Sequence, residues 1–333
     1  MTDRQQPASG EDSLISRYFR PLVTDPGAFD LDDDAAVLKA LGEDIVVTTD
    51  AIVEGVHFLP DDPPDTIARK ALRVNLSDLA AKGATPAGFV LTLALRAADE
   101  TWLTAFARGL GEDAGRFGCP LLGGDTVSTP GPKMISITAF GRVAEGKMVH
   151  RSGAKPGDRV VVTGTIGDAA LGLDLLKGGA AATALADDAA AKAMLVERYR
   201  VPQPRNALAN AVRDHASAAM DVSDGLAGDL AKLCAASGVS AVIDAPSIPL
   251  SAPAATLLAR GTVGIAAIVS GGDDYEILCA IPESSLEAFV REAALAGVAV
   301  TSIGTIIAGA AVPKFLDAQG TAIALQRLSY SHF

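Results

Sequence analysis

Apolar positions recur along this chain in two rhythms. The β-branched run Ile45-Val46-Val47-Thr48-Thr49 predicts a strand ending at Asp50. Between residues 65 and 83, Ile67, Ala71, Val74, Leu76 and Leu79 fall at helical spacing, and Gly83 and Pro86 close the helix. Strands are expected over 89–95 and 134–142, with a helix over 100–117 stopped by Gly118. Residues 1–12 read as a disordered tail, followed by a short helix over 14–19 and an acidic turn over 30–34. Turn-forming residues at 145–147 and 153–158 flank a short segment and mark a boundary. The expected division is therefore 13–148 and 149–333. The second part predicts a strand over 159–163, a glycine turn Gly164-Thr165-Ile166-Gly167 and a helix to 176. An Ala-rich stretch over 180–193 reads as a helix with a loose connection. A strand over 218–221, a helix over 224–237, a helix over 284–296 and a strand near 300–307 follow. Strands alternate with helices in both parts, so the fold class is α/β or α+β.

Composition narrows the function. The 28 Lys+Arg and 40 Asp+Glu leave a formal charge of −12, which disfavours nucleic acid and anionic membranes as partners. Three widely spaced cysteines form no CxxC pattern, so neither a disulfide framework nor a zinc site is expected. With no long apolar run and a polar N-terminus, the expected location is the cytoplasm. Most of the acid is aspartate, a residue of turns, caps and metal sites rather than of helix faces.

Seven aspartates, Asp34, Asp50, Asp78, Asp125, Asp221, Asp224 and Asp273, read as strand ends or helix starts, where loops gather into sites. Singly, each is explained by capping and turns. As a converging group they need cations, because two charges ~4 Å apart repel by about 4 kcal/mol at an effective dielectric near 20. Oxygen-only donors without His or Cys select a hard ion, Mg²⁺ or Ca²⁺. The chain has no EF-hand loop and no Walker A loop. Gly164-x-x-Gly167 has the wrong spacing for a dinucleotide turn and reads as a tight turn that starts a helix. Mg²⁺ with a phosphorylated substrate is the chemistry left.

The motifs, taken in order, resemble one family. They are Asp33-Asp34-Ala35-Ala36-Val37, Thr48-Thr49-Asp50, Glu54-Gly55-Val56-His57-Phe58 and Asn75-Leu76-Ser77-Asp78-Leu79-Ala80. Gly123-Gly124-Asp125-Thr126, Arg151-Ser152-Gly153-Ala154-Lys155-Pro156-Gly157-Asp158, Asp221-Val222-Ser223-Asp224-Gly225-Leu226 and Ser270-Gly271-Gly272-Asp273-Asp274-Tyr275-Glu276 follow. Together they resemble the thiamine-monophosphate kinases of the aminoimidazole-ribonucleotide-synthetase-like superfamily. The resemblance implies a two-domain fold: an N-terminal ATP- and Mg²⁺-binding sheet that pairs into a homodimer barrel, and a C-terminal α/β sandwich. It implies phosphorylation of thiamine monophosphate by ATP with several Mg²⁺ ions. It assigns metal to Asp34, Thr48, Thr49, Asp50, Asp78, Asp125, Asp221 and Asp224. ATP falls to Gly124, Asp125, Arg151 and Ser223, and the thiamine substrate to His57, Asp273 and Tyr330. No residue is assigned as a catalytic acid or base.

This chain departs from the family at three places. Asp32 stands where glycine is usual, Asp273 where glutamate is usual, and Lys82 where methionine is usual, the last reading as a surface change. Apart from the resemblance, His57 reads as a packed or exposed histidine, Arg151 as a surface residue, Tyr330 as an ordinary C-terminal aromatic and Trp102 as core. Two other functions remain open on the residues alone: a cyclo-ligase of the same superfamily, and a non-catalytic acidic metal- or nucleotide-binding protein.

Overall fold

The computed structural model describes residues 14–31, 38–40 and 42–329. The polar tail, Asp32, Asp34 and Tyr330 lie outside the described residues. The chain divides into two compact units: one with residues up to 41, 47–75 and 86–142, the other with 42–46, 76–85 and 143 onward.

The first unit is built on a four-stranded sheet of order β1-β4-β2-β3. Its strands are β1 (Glu43–Val53), β2 (Thr85–Leu95), β3 (Leu121–Ser128) and β4 (Met134–Ala144). Strand β4 alternates strictly between buried and half-buried residues, the pattern of a sheet with one covered face. Helices α1 (Pro64–Ala81) and α2 (Glu100–Phe117) accompany it. Asp99 caps α2 by accepting from the backbone N–H groups of Thr101 and Trp102, and Gly118 ends it in the left-handed conformation. The two helices are locked by a buried ion pair, in which Arg73 Nε and Nη2 donate to Asp113 Oδ2 and Oδ1 at 2.5 and 2.8 Å. At Gly109 an added Cβ would lie 2.4 Å from the Asp65 carbonyl, so only glycine permits this approach.

The second unit holds a six-stranded sheet of order β10-β7-β9-β5-β8-β6. The strands are β5 (Arg159–Thr163), β6 (Ala218–Val222), β7 (Val239–Asp244), β8 (Glu276–Ile281), β9 (Val300–Ala308) and β10 (Lys314–Leu316). The β7–β10 pair is parallel; β5–β8, β5–β9, β6–β8 and β7–β9 are antiparallel. Alternate residues feed two cores. Val160, Val162, Met220 and Val222 pack with Leu226, Leu230 and Leu233 of α7 (Leu226–Ser237). Val161, Ala219, Ile277 and Cys279 pack instead with Phe289 and Ala293 of α10 (Glu283–Leu295). Burial on both faces explains the unbroken apolar runs Val160–Val162 in β5 and Ile277–Ile281 in β8. The remaining helices are α3 (Asp168–Leu176), α4 (Ala180–Ala184), α5 (Ala189–Arg200), α6 (Ala209–His215), α8 (Ala252–Ala259) and α9 (Ile265–Val269).

Several expectations are corrected. Strand β1 does not stop at Asp50, because Ala51-Ile52-Val53 continue its alternation and bury Ile52. Strand β3 runs on through Gly123-Gly124-Asp125, held in parallel register against β2. Asp78 lies inside a helix. The segment before Gly271-Gly272-Asp273 is helix α9, so Asp273 follows a helix. The Ala-rich stretch forms two helices, the second capped by Asp188. Trp102 is only half-buried, stacked on Phe106 at 4.8 Å.

The Arg73–Asp113 pair yields the first prediction. Asp113→Ala strands a buried guanidinium and is expected to cost about 3–5 kcal/mol, measured by urea unfolding. A loss below about 1 kcal/mol counts against a stabilising role for the pair.

Candidate active site

In the first unit the candidate residues lie on β1, in the turn after it, and on β3. Along β1, Thr48 and Asp50 share the face that carries buried Val46 and Ile52, while Thr49 faces the other way with exposed Val47. Thr49 Oγ1 donates to the Ile137 carbonyl at 3.2 Å and accepts from Thr138 Oγ1 at 3.0 Å. Gly124 must be glycine, since an added Cβ would fall 2.0 Å from the Leu91 carbonyl in the paired strand. Asp125 follows it, exposed.

His57 sits in the turn that reverses the chain after β1. Its Nδ1 accepts from the Val53 N–H at 3.0 Å, which leaves the neutral ring's proton on Nε2. The buried Lys70 ammonium donates to the His57 carbonyl at 2.9 Å. The turn is pinned by Glu54, whose carboxylate accepts from Lys133 Nζ at 2.8 Å and from Arg96. Burial opposes its ionisation, but the hydrogen bonds from Lys133 and Arg96 prevail and hold its pKa down to about 2.

The second unit draws four of the motifs together along β6 and the loop bonded to its end. Asp273 N–H donates to the Ser223 carbonyl, and Tyr275 N–H to the Val222 carbonyl, both at 2.8 Å. Ser77 Oγ, beside Asp78, reaches the Tyr275 carbonyl at 3.4 Å. On the outer edge of β6, Ala219 N–H donates to the carbonyl of His150, Arg151's neighbour, at 3.0 Å. Asp78, Arg151, Asp221, Ser223 and Asp273 thus come from segments hydrogen-bonded along β6 or to the Tyr275 loop that continues from it. Asp224 lies just past it, with Lys232 Nζ donating to its Oδ2 at 2.5 Å and to buried Asp229 at 2.8 Å.

The loop that carries Asp273 is strained and anchored. Asp273 and Tyr275 have φ of 72° and 51°, values that non-glycine residues adopt only when their surroundings enforce them. Between them Asp274, 1% exposed, caps α3 by accepting from the N–H groups of Gly167 at 2.6 Å and Ala169 at 3.3 Å. Burial pushes its carboxyl up to about 8, against the pull of the Gly167 N–H and of Arg198. Just after Tyr275, buried Glu276 accepts from Arg198, Arg205 and Thr163 at 2.5–2.7 Å. The Gly164–Gly167 turn does start a helix, as expected, and Asp168 is buried with Ser251 donating to it at 2.5 Å.

Lys82 is not a surface change. It is half-buried, and its Nζ donates to the Ala219 carbonyl at 2.8 Å, within the fields of Asp221, Arg151 and Asp78. Its context was a signal: a lone charge in Leu79-Ala80-Ala81-Lys82-Gly83-Ala84 at the end of a buried helix. Glu54, Asp274 and Lys232 were also missed as site-building residues, because their partners lie far off in sequence or on the next helical turn.

Among the described residues, no three Asp, Glu, His or Cys side chains gather around one point as a preformed cage would. The donor set still fits Mg²⁺, which binds through one or two carboxylates and completes its shell with water and phosphate oxygens.

The family is decided by comparison with known proteins. Residues 32–143 match the AIR synthase related protein, N-terminal domain, and residues 155–313 the corresponding C-terminal domain. Thiamine-monophosphate kinase from Caulobacter vibrioides is 45% identical over 324 residues, covering 96% of this chain and 89% of that protein. The chain belongs to the thiamine-monophosphate kinase family. The Escherichia coli K12 kinase is 38% identical, covering 98% of this chain and 99% of its own. The crystal structure of the Stenotrophomonas maltophilia kinase superposes with a TM-score of 0.79 at 39% identity, covering 88% and 91% of the two chains. The structure described as AaThiL complexed with AMPPCP and TMP gives 0.77 at 28% identity, covering 90% and 91%. Escherichia coli HypE, at 18% identity and a TM-score of 0.78, covers 96% and 98% and shares the fold.

The Glu54 ion pairs predict an acid-dependent stability. Folding depresses the pKa from 4.5 to about 2, so the contribution is complete above about pH 4.5 and is lost as pH falls toward 2. Glu54→Gln should unfold more easily than the parent at neutral pH by about 1–2 kcal/mol. That gap should close between pH 4.5 and 2 in urea titrations; a gap independent of pH removes the assignment.

Proposed function

We propose that the chain transfers the γ-phosphoryl group of ATP to thiamine monophosphate, giving thiamine diphosphate and ADP. What carries this reading is its likeness, over nearly its whole length, to curated thiamine-monophosphate kinases. The acceptor is a phosphate monoester with a second pKa near about 6. It is already an anionic nucleophile at neutral pH, so no general base is needed, and none is assigned. The obstacle is repulsion between two phosphate anions.

Asp34, Thr48, Thr49, Asp50, Asp78, Asp125, Asp221 and Asp224 are the residues proposed to hold Mg²⁺. The bound ions would neutralise and align the two phosphates. Asp125 also belongs to the ATP set with Gly124, Arg151 and Ser223. Arg151 supplies fixed positive charge to a phosphate, and Gly124, which the close approach of Leu91 in β2 requires to be glycine, sets Asp125 beside it on β3. His57, Asp273 and Tyr330 address the thiamine moiety. His57 offers an Nε2–H donor whose orientation is set by Val53, and the capped loop of Asp274 holds Asp273 in place.

A homodimer through the N-terminal sheet is part of the same reading. Strands β1 and β3 are the two edges of that sheet, and they expose Val47 at 58% and Val127 at 43%. Apolar side chains on open edges favour pairing with a second sheet. No helix among the described residues is long and apolar enough to cross a membrane. Dependence on ATP fits a cytoplasmic enzyme.

Mass detection of thiamine diphosphate from thiamine monophosphate, ATP and Mg²⁺ tests the reading, and no product would overturn it. Chelator should abolish turnover, and Asp221→Asn should lower kcat at least about a hundredfold. Val47→Glu is expected to shift the oligomer toward monomer in light scattering; an unchanged mass would remove β1 from the interface.

A further inference from the structure

Lys82 is held at a meeting point of three motif segments in the second unit. Its N–H donates to the Asp78 carbonyl at 3.0 Å, so Asp78 and Lys82 stand one helical turn apart, the spacing at which side chains meet. Its own carbonyl accepts from the Val149 N–H at 3.1 Å, next to His150 and Arg151. Its ammonium lies on the Ala219 carbonyl, and Asp221 is two residues further along β6, on the same face of that strand. Because β6 is an edge strand, the Ala219 carbonyl needs a donor from outside the sheet. Any hydrogen-bonding side chain of this length would meet that need. A positive charge is not required for it, yet a charge is what the position carries, between two carboxylates.

We propose that Lys82 is a resident counter-ion of Asp78 and Asp221, and that its charge weakens the uptake of divalent metal by this pair before nucleotide arrives. The inference rests on the reading of Asp78 and Asp221 as metal ligands. Two like-charged carboxylates raise the affinity for a cation, and a fixed positive charge beside them lowers it. The same charge is attractive to the phosphate that accompanies the metal. Burial lowers the Lys82 pKa; Asp221 and Asp78 act against that, and Arg151 reinforces it.

Three variants separate charge from edge capping. Lys82→Gln keeps a donor for the Ala219 carbonyl but loses the charge, Lys82→Arg keeps both, and Lys82→Met loses both. Mn²⁺ binding to the full-length, nucleotide-free protein is followed by calorimetry and by electron paramagnetic resonance, with urea midpoints recorded alongside. The expected result is at least about fivefold tighter Mn²⁺ binding in Lys82→Gln and Lys82→Met, with Lys82→Arg like the parent. A capping role alone would lower the urea midpoint of Lys82→Met and leave the Mn²⁺ affinity of all three unchanged, which overturns the proposal. Lys82→Met serves as the second neutral variant should Lys82→Gln fail to fold. A parent protein that takes up no more Mn²⁺ than its Asp221→Asn variant overturns the metal reading instead, and this inference falls with it.

Discussion

Repulsion between carboxylates is the constraint on which the second unit depends. Asp78, Asp221, Asp224, Asp229, Asp274 and Glu276 lie along a few segments laced to β6 and β8, and several are buried. Left unpaired, buried charges of one sign would each cost several kcal/mol. The chain answers with a different device for each. Lys232 bridges Asp224 and Asp229, Arg198 and Arg205 clamp Glu276, and Asp274 caps α3 with its carboxyl pushed up to about 8, so that it carries little charge at neutral pH. Asp78 and Asp221 lie within the field of Lys82. Much of the acid in this unit is thus met by local pairings.

Those pairings also hold the backbone. The Gly271–Tyr275 loop takes two positive φ values at non-glycine residues, a strained arrangement. It persists because Asp274 is fastened to α3 and the backbone on both sides of it is hydrogen-bonded to Val222 and Ser223. Gly272 makes the contact possible, since an added Cβ would meet the Ser223 carbonyl at 2.6 Å. The motif that carries Asp221 and the motif that carries Asp273 are therefore one structural piece, although about fifty residues separate them. In the first unit Glu54 plays a comparable part, pinning the His57 turn through Arg96 and Lys133.

Much of this was legible from pattern. The helices over 64–81, 100–117 and 283–295 and the strands β4 to β6 follow from periodicity and from caps such as Asp99 and Gly118. Strand ends were less legible. Asp50 and Asp125 look like terminators because polar residues interrupt apolar runs there, but a strand continues wherever its backbone partner continues, and the partner is remote in sequence. The candidate site residues were readable as an ordered set of motifs, whereas the residues that hold them in place were not. Asp274 read as the neighbour of Asp273, and Lys82 as a surface substitution.

The sequence by itself determined the fold class, the family and those elements whose apolar periodicity is regular. Each of these depends on local spacing or on the chemistry of single side chains. Only the tertiary structure decided which carboxylates are neutralised and by what. It showed that half-buried Lys82 donates to the edge of β6, that Asp274 is a helix cap, and that Thr49 points away from Thr48 and Asp50. The physical reason is that charge compensation acts through space over a few ångströms, between residues that folding brings together whether they lie 3 or more than 100 positions apart.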